Sequence, residues 1–243
     1  MDTTEHKETA QQSFCFPLKN LENDLLLLAV FDPSIHLAPF FAAQLPHPSL
    51  FTYIPFGPYP TPSSFFTTFY NPRVLNAANH GACLFAIFDK ATEKMAGVVG
   101  YLNSSPENLR TEIGFIVILP EFQRSHVSSN AIGLLLHYAL DLPERGGLGL
   151  RRVQWQSNAD NEASIRAAER MGFKREGVRR WERLVMPGKT WPGKEEGDTA
   201  RLRSGDPRAE SPGRHSMVMG VCWDDWEMGG AREKADKNMA RRS

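Results

Sequence analysis

Residues 109–119 read as one extended segment with two apolar faces. Ile113, Phe115, Val117 and Leu119 alternate onto one face, and Glu112, Gly114, Ile116 and Ile118 onto the other. A strand of that kind lies in the covered centre of a sheet, and this one carries a carboxylate, Glu112, into the covered layer. Pro120 ends the strand and a short polar loop, Glu121 to His126, follows. Val127 to Leu142 then sets Ile132, Leu135, Leu136, Ala139 and Leu142 at helical spacing, with Ser128 and Ser129 available at its start, and reads as a buried helix. Arg151 to Ser157 turns Val153 and Trp155 inward as a strand. Asn161 to Met171 follows as a second helix, with Gly172 where a helix ends.

Around this unit, Leu25 to Phe31 predicts a short strand closed by Asp32-Pro33. The prolines between Ser34 and Tyr70 break that stretch into two short helices, near 35–44 and 62–70, joined by an aromatic loop with Phe51, Tyr53, Phe56 and Tyr59. These aromatics either plug one end of the core or line a substrate groove; the residue types fit both. Cys83 to Phe88, Met95 to Tyr101 and Leu109 to Leu119 predict an antiparallel meander. Phe173 to Val185 reads as a further strand and Met217 to Trp226 as an apolar terminal strand. Residues 1–14 are expected to form a loose arm, 186–213 a long exposed loop and 229–243 a frayed tail, around one domain at 15–228.

Lys and Arg number 28 and Asp and Glu 28, so the formal charge is zero, which argues against general nucleic-acid or anionic-membrane binding. The longest apolar cluster, Leu25 to Phe31, falls far short of the roughly 20 residues of a membrane span. The polar N-terminus lacks a secretory pattern, and residence in the cytoplasm is expected. Cys15, Cys83 and Cys222 are far apart and form no CxxC pair, so neither a disulfide nor a metal site is expected.

A strand, Pro120 and a polar loop opening a helix make a geometry suited to an anion. Successive N–H groups at the helix start converge, the helix dipole favours negative charge, and Arg124 adds a planar cation. Asn161 and Ser164 stand one turn apart at the start of the second helix, where Asn-x-x-Ser is ordinarily a cap.

The order of these motifs, a strand with Glu112-Ile113-Gly114, then Pro120 to Ala131, then Asn161 to Phe173 ending in Arg-Met-Gly-Phe, resembles the GNAT acetyltransferase superfamily, its RimJ/RimL-type branch in particular. The likeness extends to Phe31-Asp32-Pro33-Ser34 with His36, to His47-Pro48, Leu50-Phe51 and Gly57-Pro58, and to Gly213-Arg214-His215-Ser216 with Trp223-Asp224-Asp225-Trp226, covering about residues 15–228. It implies an α/β (α+β) fold: a mixed, mainly antiparallel central sheet flanked by helices, with fourth and fifth strands, here Leu109–Leu119 and Arg151–Ser157, splayed apart to admit acetyl-CoA.

By that likeness the backbone of Ile116 and Ile118 would pair with the pantetheine arm, and Gln123, Arg124, Ser125, His126, Val127 and Ser128 would hold the pyrophosphate. Asn161 would touch the pantetheine from the opposite side. The activity implied is transfer of an acetyl group from acetyl-CoA to a primary amine, a protein N-terminus or a small molecule, with no metal and an open oligomeric state. Glu112 is the candidate base, against a reading as a paired or exposed strand carboxylate; Ser164 is the candidate proton donor, against a capping hydroxyl. The usual loop pattern has glycines where this chain has His126 and Ser128. If the His126 imidazole turns outward it faces a CoA phosphate; if inward it obstructs the site. The second case leaves a rival reading, a catalytically degenerate fold that binds acyl-CoA or a protein partner without turnover.

Overall fold

The computed structural model describes residues 14–192 and 202–241; the N-terminal arm expected at 1–14 lies outside the described residues apart from Phe14, as do the last two residues. One eight-stranded sheet organises the chain, made of β1 (Leu21–Glu22), β2 (Leu26–Val30), β3 (Cys83–Asp89), β4 (Lys94–Ser105), β5 (Arg110–Ile118), β6 (Arg152–Asn158), β7 (Lys174–Leu184) and β8 (Gly213–Cys222). Their order across the sheet is β1-β2-β3-β4-β5-β6-β8-β7. Neighbours pair antiparallel except β5 and β6, which run parallel and are joined by a helical crossover. The two strands expected to splay are therefore β5 and β6.

The helices are α1 (Pro33–Gln44), α2 (Pro62–Phe65) continued by a π-helical stretch over Phe66–Leu75, α3 (His126–Leu140), α4 (Glu162–Arg170), α5 (Trp223–Glu227) and α6 (Ala231–Met239). Asp32 caps α1 by accepting from Ser34 N at 2.9 Å, the expected consequence of Asp-Pro-Ser. The cap of α3 is Ser125, one turn ahead of Ser128 and Ser129; its hydroxyl accepts from Val127 N. α3 crosses one face of the sheet, burying Val127, Leu135, Leu136 and Ala139 completely. Each large side chain so buried stabilises by about 1.5–3 kcal/mol. The other face carries an aromatic cluster built from Phe31, Phe40, Phe51, Tyr59, Phe65 and Phe69.

The strict alternation expected along β5 fails after Ile113. Phe115 adopts φ +48°, and β5 takes three steps from Val117 to Gly114 where β4 takes two from Val98 to Gly100. This bulge shifts the strand by one residue and reverses the faces beyond it. Ile113 packs with the α3 side together with Ile116 and Ile118, whereas Phe115 and Val117 join the aromatic cluster. Ile113 and Phe115 therefore do not share a face as the sequence pattern suggests.

Three other expectations change. The terminal apolar segment is a strand only to Cys222, and Trp223–Glu227 is helical, with Trp226 buried and donating its indole N–H to Asp141 Oδ1 at 2.8 Å. The tail is not frayed: α6 lies against α3, α4 and α5, and Asn238 donates to the Arg170 carbonyl at 2.7 Å. Gly133 in α3 gives it room, since a Cβ there would fall 2.1 Å from Met239 Sδ. The segment 186–213 is not wholly exposed either, because Trp191 and Ser211 are buried and Trp191 donates to Asp160 Oδ2 at 2.9 Å; residues 193–201 of it lie outside the described residues.

Ala235 is fully buried in the α6 contact. Ala235→Asp is expected to cost at least about 2 kcal/mol in urea denaturation, because it buries a charge without a partner. A frayed tail would give no change.

Candidate functional site

The ladder between β5 and β6 runs only from Arg110↔Arg152 to Ile113↔Trp155. Beyond that rung the strands part, and residues 114–118 of β5 have no β6 partner. Two cavities open at this parting. One, of about 380 Å³, lies under the aromatic cluster and holds Glu112; the other, of about 870 Å³, lies beside the start of α3. Ile116, Trp155, Asn161 and Ser164 line both, so the parting joins two chambers at one wall.

Glu112 is 4% exposed. Its Oε2 accepts three amide N–H groups, from Asn103 Nδ2, Gln154 Nε2 and Gln156 Nε2, each at 3.0 Å. Oε1 has no donor among the described residues and sits over Gly114, whose added Cβ would meet it at 3.8 Å. Burial raises the carboxyl above its ordinary value; the three amides and the nearby Arg183 pull the other way. A carboxylate with one oxygen anchored, one available and a raised pKa suits acceptance of a proton near neutral pH. The strand pairing fixes this geometry, since Glu112 stands opposite Gln154 in the ladder.

Ser164 Oγ accepts the indole N–H of Trp155 at 3.1 Å. Its own proton is thereby left to be donated elsewhere. The cap of α4 is Asn161, which accepts from Ser164 N at 3.1 Å.

The loop before α3 lines the larger cavity through Gln123, Arg124, Ser125, His126 and Ser128, and several of these residues also make internal bonds. The Gln123 amide donates to the Ile118 carbonyl at 2.9 Å, and Ser125 donates to Phe122 O at 2.6 Å while capping Val127. Val127 is fully buried, so only its backbone faces the loop. His126 lines the larger cavity with its ring tied to a carboxylate: its Nε2 lies 3.0 Å from Asp89 Oδ1, at the end of β3, where Thr92 also donates to Asp89. The residue with a left-handed backbone is Arg124, at φ +60°, so a side chain at position 126 meets no backbone strain.

The aromatic loop does both things the sequence left open. Phe51 and Tyr59 are core, and Tyr53 and Phe56 line the smaller cavity.

The comparisons meet this geometry. The family profile described as an acetyltransferase (GNAT) domain matches residues 25–174, more than half of the chain. The chain belongs to the GNAT acetyltransferase family. Over 89 residues it is 35% identical to the uncharacterized N-acetyltransferase YoaA of Bacillus subtilis, a match that spans 37% of this chain and 47% of that relative, about half its length. The structure of a GCN5-related N-acetyltransferase from Brucella melitensis superposes with a TM-score of 0.68 at 26% identity, covering 91% of this chain and 86% of that one. A spermidine N-acetyltransferase from Vibrio cholerae, solved with CoA and spermine, shares the fold at 15% identity and a TM-score of 0.56, over 84% and 99% of the two chains. In GNAT proteins acetyl-CoA is the acetyl donor, and the residues present suit it: a strand edge at 114–118 without a β6 partner, a helix start with Arg124 beside it, and a chamber of about 870 Å³ that both adjoin. Among the described residues no helix is long and apolar enough to cross a membrane.

Residues that the sequence did not single out complete the site. Asn103, Gln154 and Gln156 hold Glu112, and Trp155 orients Ser164. The signal for two of them was present, because Gln154 and Gln156 alternate with inward Val153 and Trp155 and so share one face of a central strand.

Proposed function

We propose that this protein is an acetyl-CoA-dependent N-acetyltransferase of the RimJ/RimL type, acting in the cytoplasm as one domain over residues 15–228, with α6 as part of its packing. The observation that carries the reading is the meeting of the two chambers at Trp155, Asn161 and Ser164, with Glu112 on the acceptor side only. Acetyl-CoA bound along β5, with its pyrophosphate near Arg124 and Ser128, would present the thioester at that meeting point.

Glu112 Oε1 takes a proton from the acceptor amine, directly or through one water. The neutral amine forms the C–N bond as the C–S bond breaks; the Ser164 hydroxyl supplies a proton to the departing thiolate and regains one from the acylated nitrogen, directly or through water, which leaves a neutral amide. Asn103, Gln154 and Gln156 keep the Glu112 carboxylate in place throughout, and the Trp155 indole keeps the Ser164 proton pointed away from itself. The transfer is direct, within a ternary complex. The bond between the His126 ring and Asp89 supports turnover over the degenerate alternative.

Detection of CoA release with a panel of primary amines tests the reading. Stoichiometric acetylation of at least one amine is expected; tight acetyl-CoA binding with no acetylation of any would favour a binding protein. Arg124→Glu is expected to weaken acetyl-CoA by about 1–3 kcal/mol in calorimetry, the loss of a charge-assisted contact to phosphate. Unchanged affinity in a folded variant would remove Arg124 from the site.

A further inference from the structure

The walls of the acceptor chamber are strongly cationic. Among the described residues its charged lining is Arg73, Arg183 and Arg214 against Glu112 alone. Arg183 and Arg214 are direct neighbours across the β7–β8 ladder, where like charges repel. Arg214 is 7% exposed, and its described partners are neutral: the Tyr53 carbonyl at 2.6 Å and the Ser216 hydroxyl at 3.4 Å. Among the described residues its Nε has no partner, nor has Nδ2 of Asn158, which is 2% exposed on the same wall. Buried donors without acceptors are costly, and a buried guanidinium with no hydrogen-bonded counter-ion among the described residues more so. Burial and the neighbouring Arg183 push the Arg214 guanidinium down to about 10 against the opposing pull of Glu112 and Glu182, and burial together with Arg214 pushes Lys189, beside the chamber, down to about 8. Arg73 is already engaged over the Phe56 ring at 4.8 Å.

We propose that the acceptor is a small primary amine bearing its own anionic group, a carboxylate or a phosphate, and that Arg183 and Arg214 form the subsite for that group. The inference rests on the acetyltransferase reading above. Guanidinium groups match both anions in geometry, and an anion there relieves the repulsion between the two arginines. Glu112 Oε1 lies on the same chamber to receive the amine, so one pocket is complementary to both ends of a zwitterion. A volume of about 380 Å³ suits a small molecule. A polyamine, with several cations and no anion, meets the wrong field.

The test uses the acetyl-CoA-saturated protein and two matched pairs, β-alanine with β-alaninamide and 2-aminoethyl phosphate with ethanolamine, together with spermidine. Binding is read by calorimetry and turnover by CoA release. At least one anionic amine is expected to bind tenfold or more tightly than its neutral partner, and whichever pair shows the larger ratio identifies carboxylate or phosphate. Arg183→Gln and, separately, Arg214→Gln are expected to narrow that preference to less than threefold; Arg183 is only partly buried, which keeps the test valid should the Arg214 variant fail to fold. Neutral amines or spermidine binding as tightly as the anionic ones, or no binding of either anionic amine, overturns the subsite. Selective binding without CoA release upholds the subsite and removes the acetyltransferase reading. Acetylation of spermidine alone does the reverse.

Discussion

Glu112→Gln is expected to lower kcat about 100-fold or more while leaving acetyl-CoA affinity nearly unchanged. The amide keeps the size of the carboxylate but accepts no proton, so the loss falls on the chemical step. It also disturbs an acceptor of three N–H groups at Oε2, and a fold check by thermal denaturation accompanies the kinetics. The parent enzyme should lose activity as pH falls, because protonation removes the base. Since burial raises the Glu112 pKa, that loss begins at a higher pH than for an ordinary carboxylate. The variant should lack this acidic limb. Equal turnover by variant and parent at saturating substrate would exclude Glu112 as the base.

Phe69→Ala is expected to cost about 3–5 kcal/mol in urea denaturation, the range for truncating a buried aromatic. Phe69 is 1% exposed, stacks on Phe115 with ring centroids 3.9 Å apart, and touches Phe56, Tyr59 and Phe65. It also lines the acceptor chamber, so residual folded variant should bind acceptors less selectively. A loss below about 1 kcal/mol would mean that the aromatic cluster is a loose plug and not a second core.

Periodicity alone made the central elements legible. The apolar strand at 109–119, the helix after Pro120 and the strand and helix from 151 to 171 all form within a few residues of where the pattern puts them. Glu112 was visible because a carboxylate in a doubly apolar strand is conspicuous. The bulge at Phe115 was not, since a positive φ at a phenylalanine leaves no trace in an alternating pattern and inverts the faces beyond it. The tail was misread for a different reason. α6 is polar overall and contributes mainly small residues, Ala231 and Ala235, to its contact, and the space for it comes from Gly133 far away in sequence. Arg183 and Arg214 were individually ordinary. Their meeting depends on the register of β7 with β8, which only tertiary structure provides. The partner of His126 was likewise hidden, because Asp89, 37 positions earlier, is brought beside it only by the fold.

On the proposed reading acetyl-CoA enters the parting of β5 and β6 and pairs with the free edge of β5. Amide hydrogen exchange with and without saturating acetyl-CoA tests this pairing. New protection is expected, concentrated in residues 114–118 and around the start of α3. Saturable binding that leaves exchange at 114–118 unchanged would contradict it.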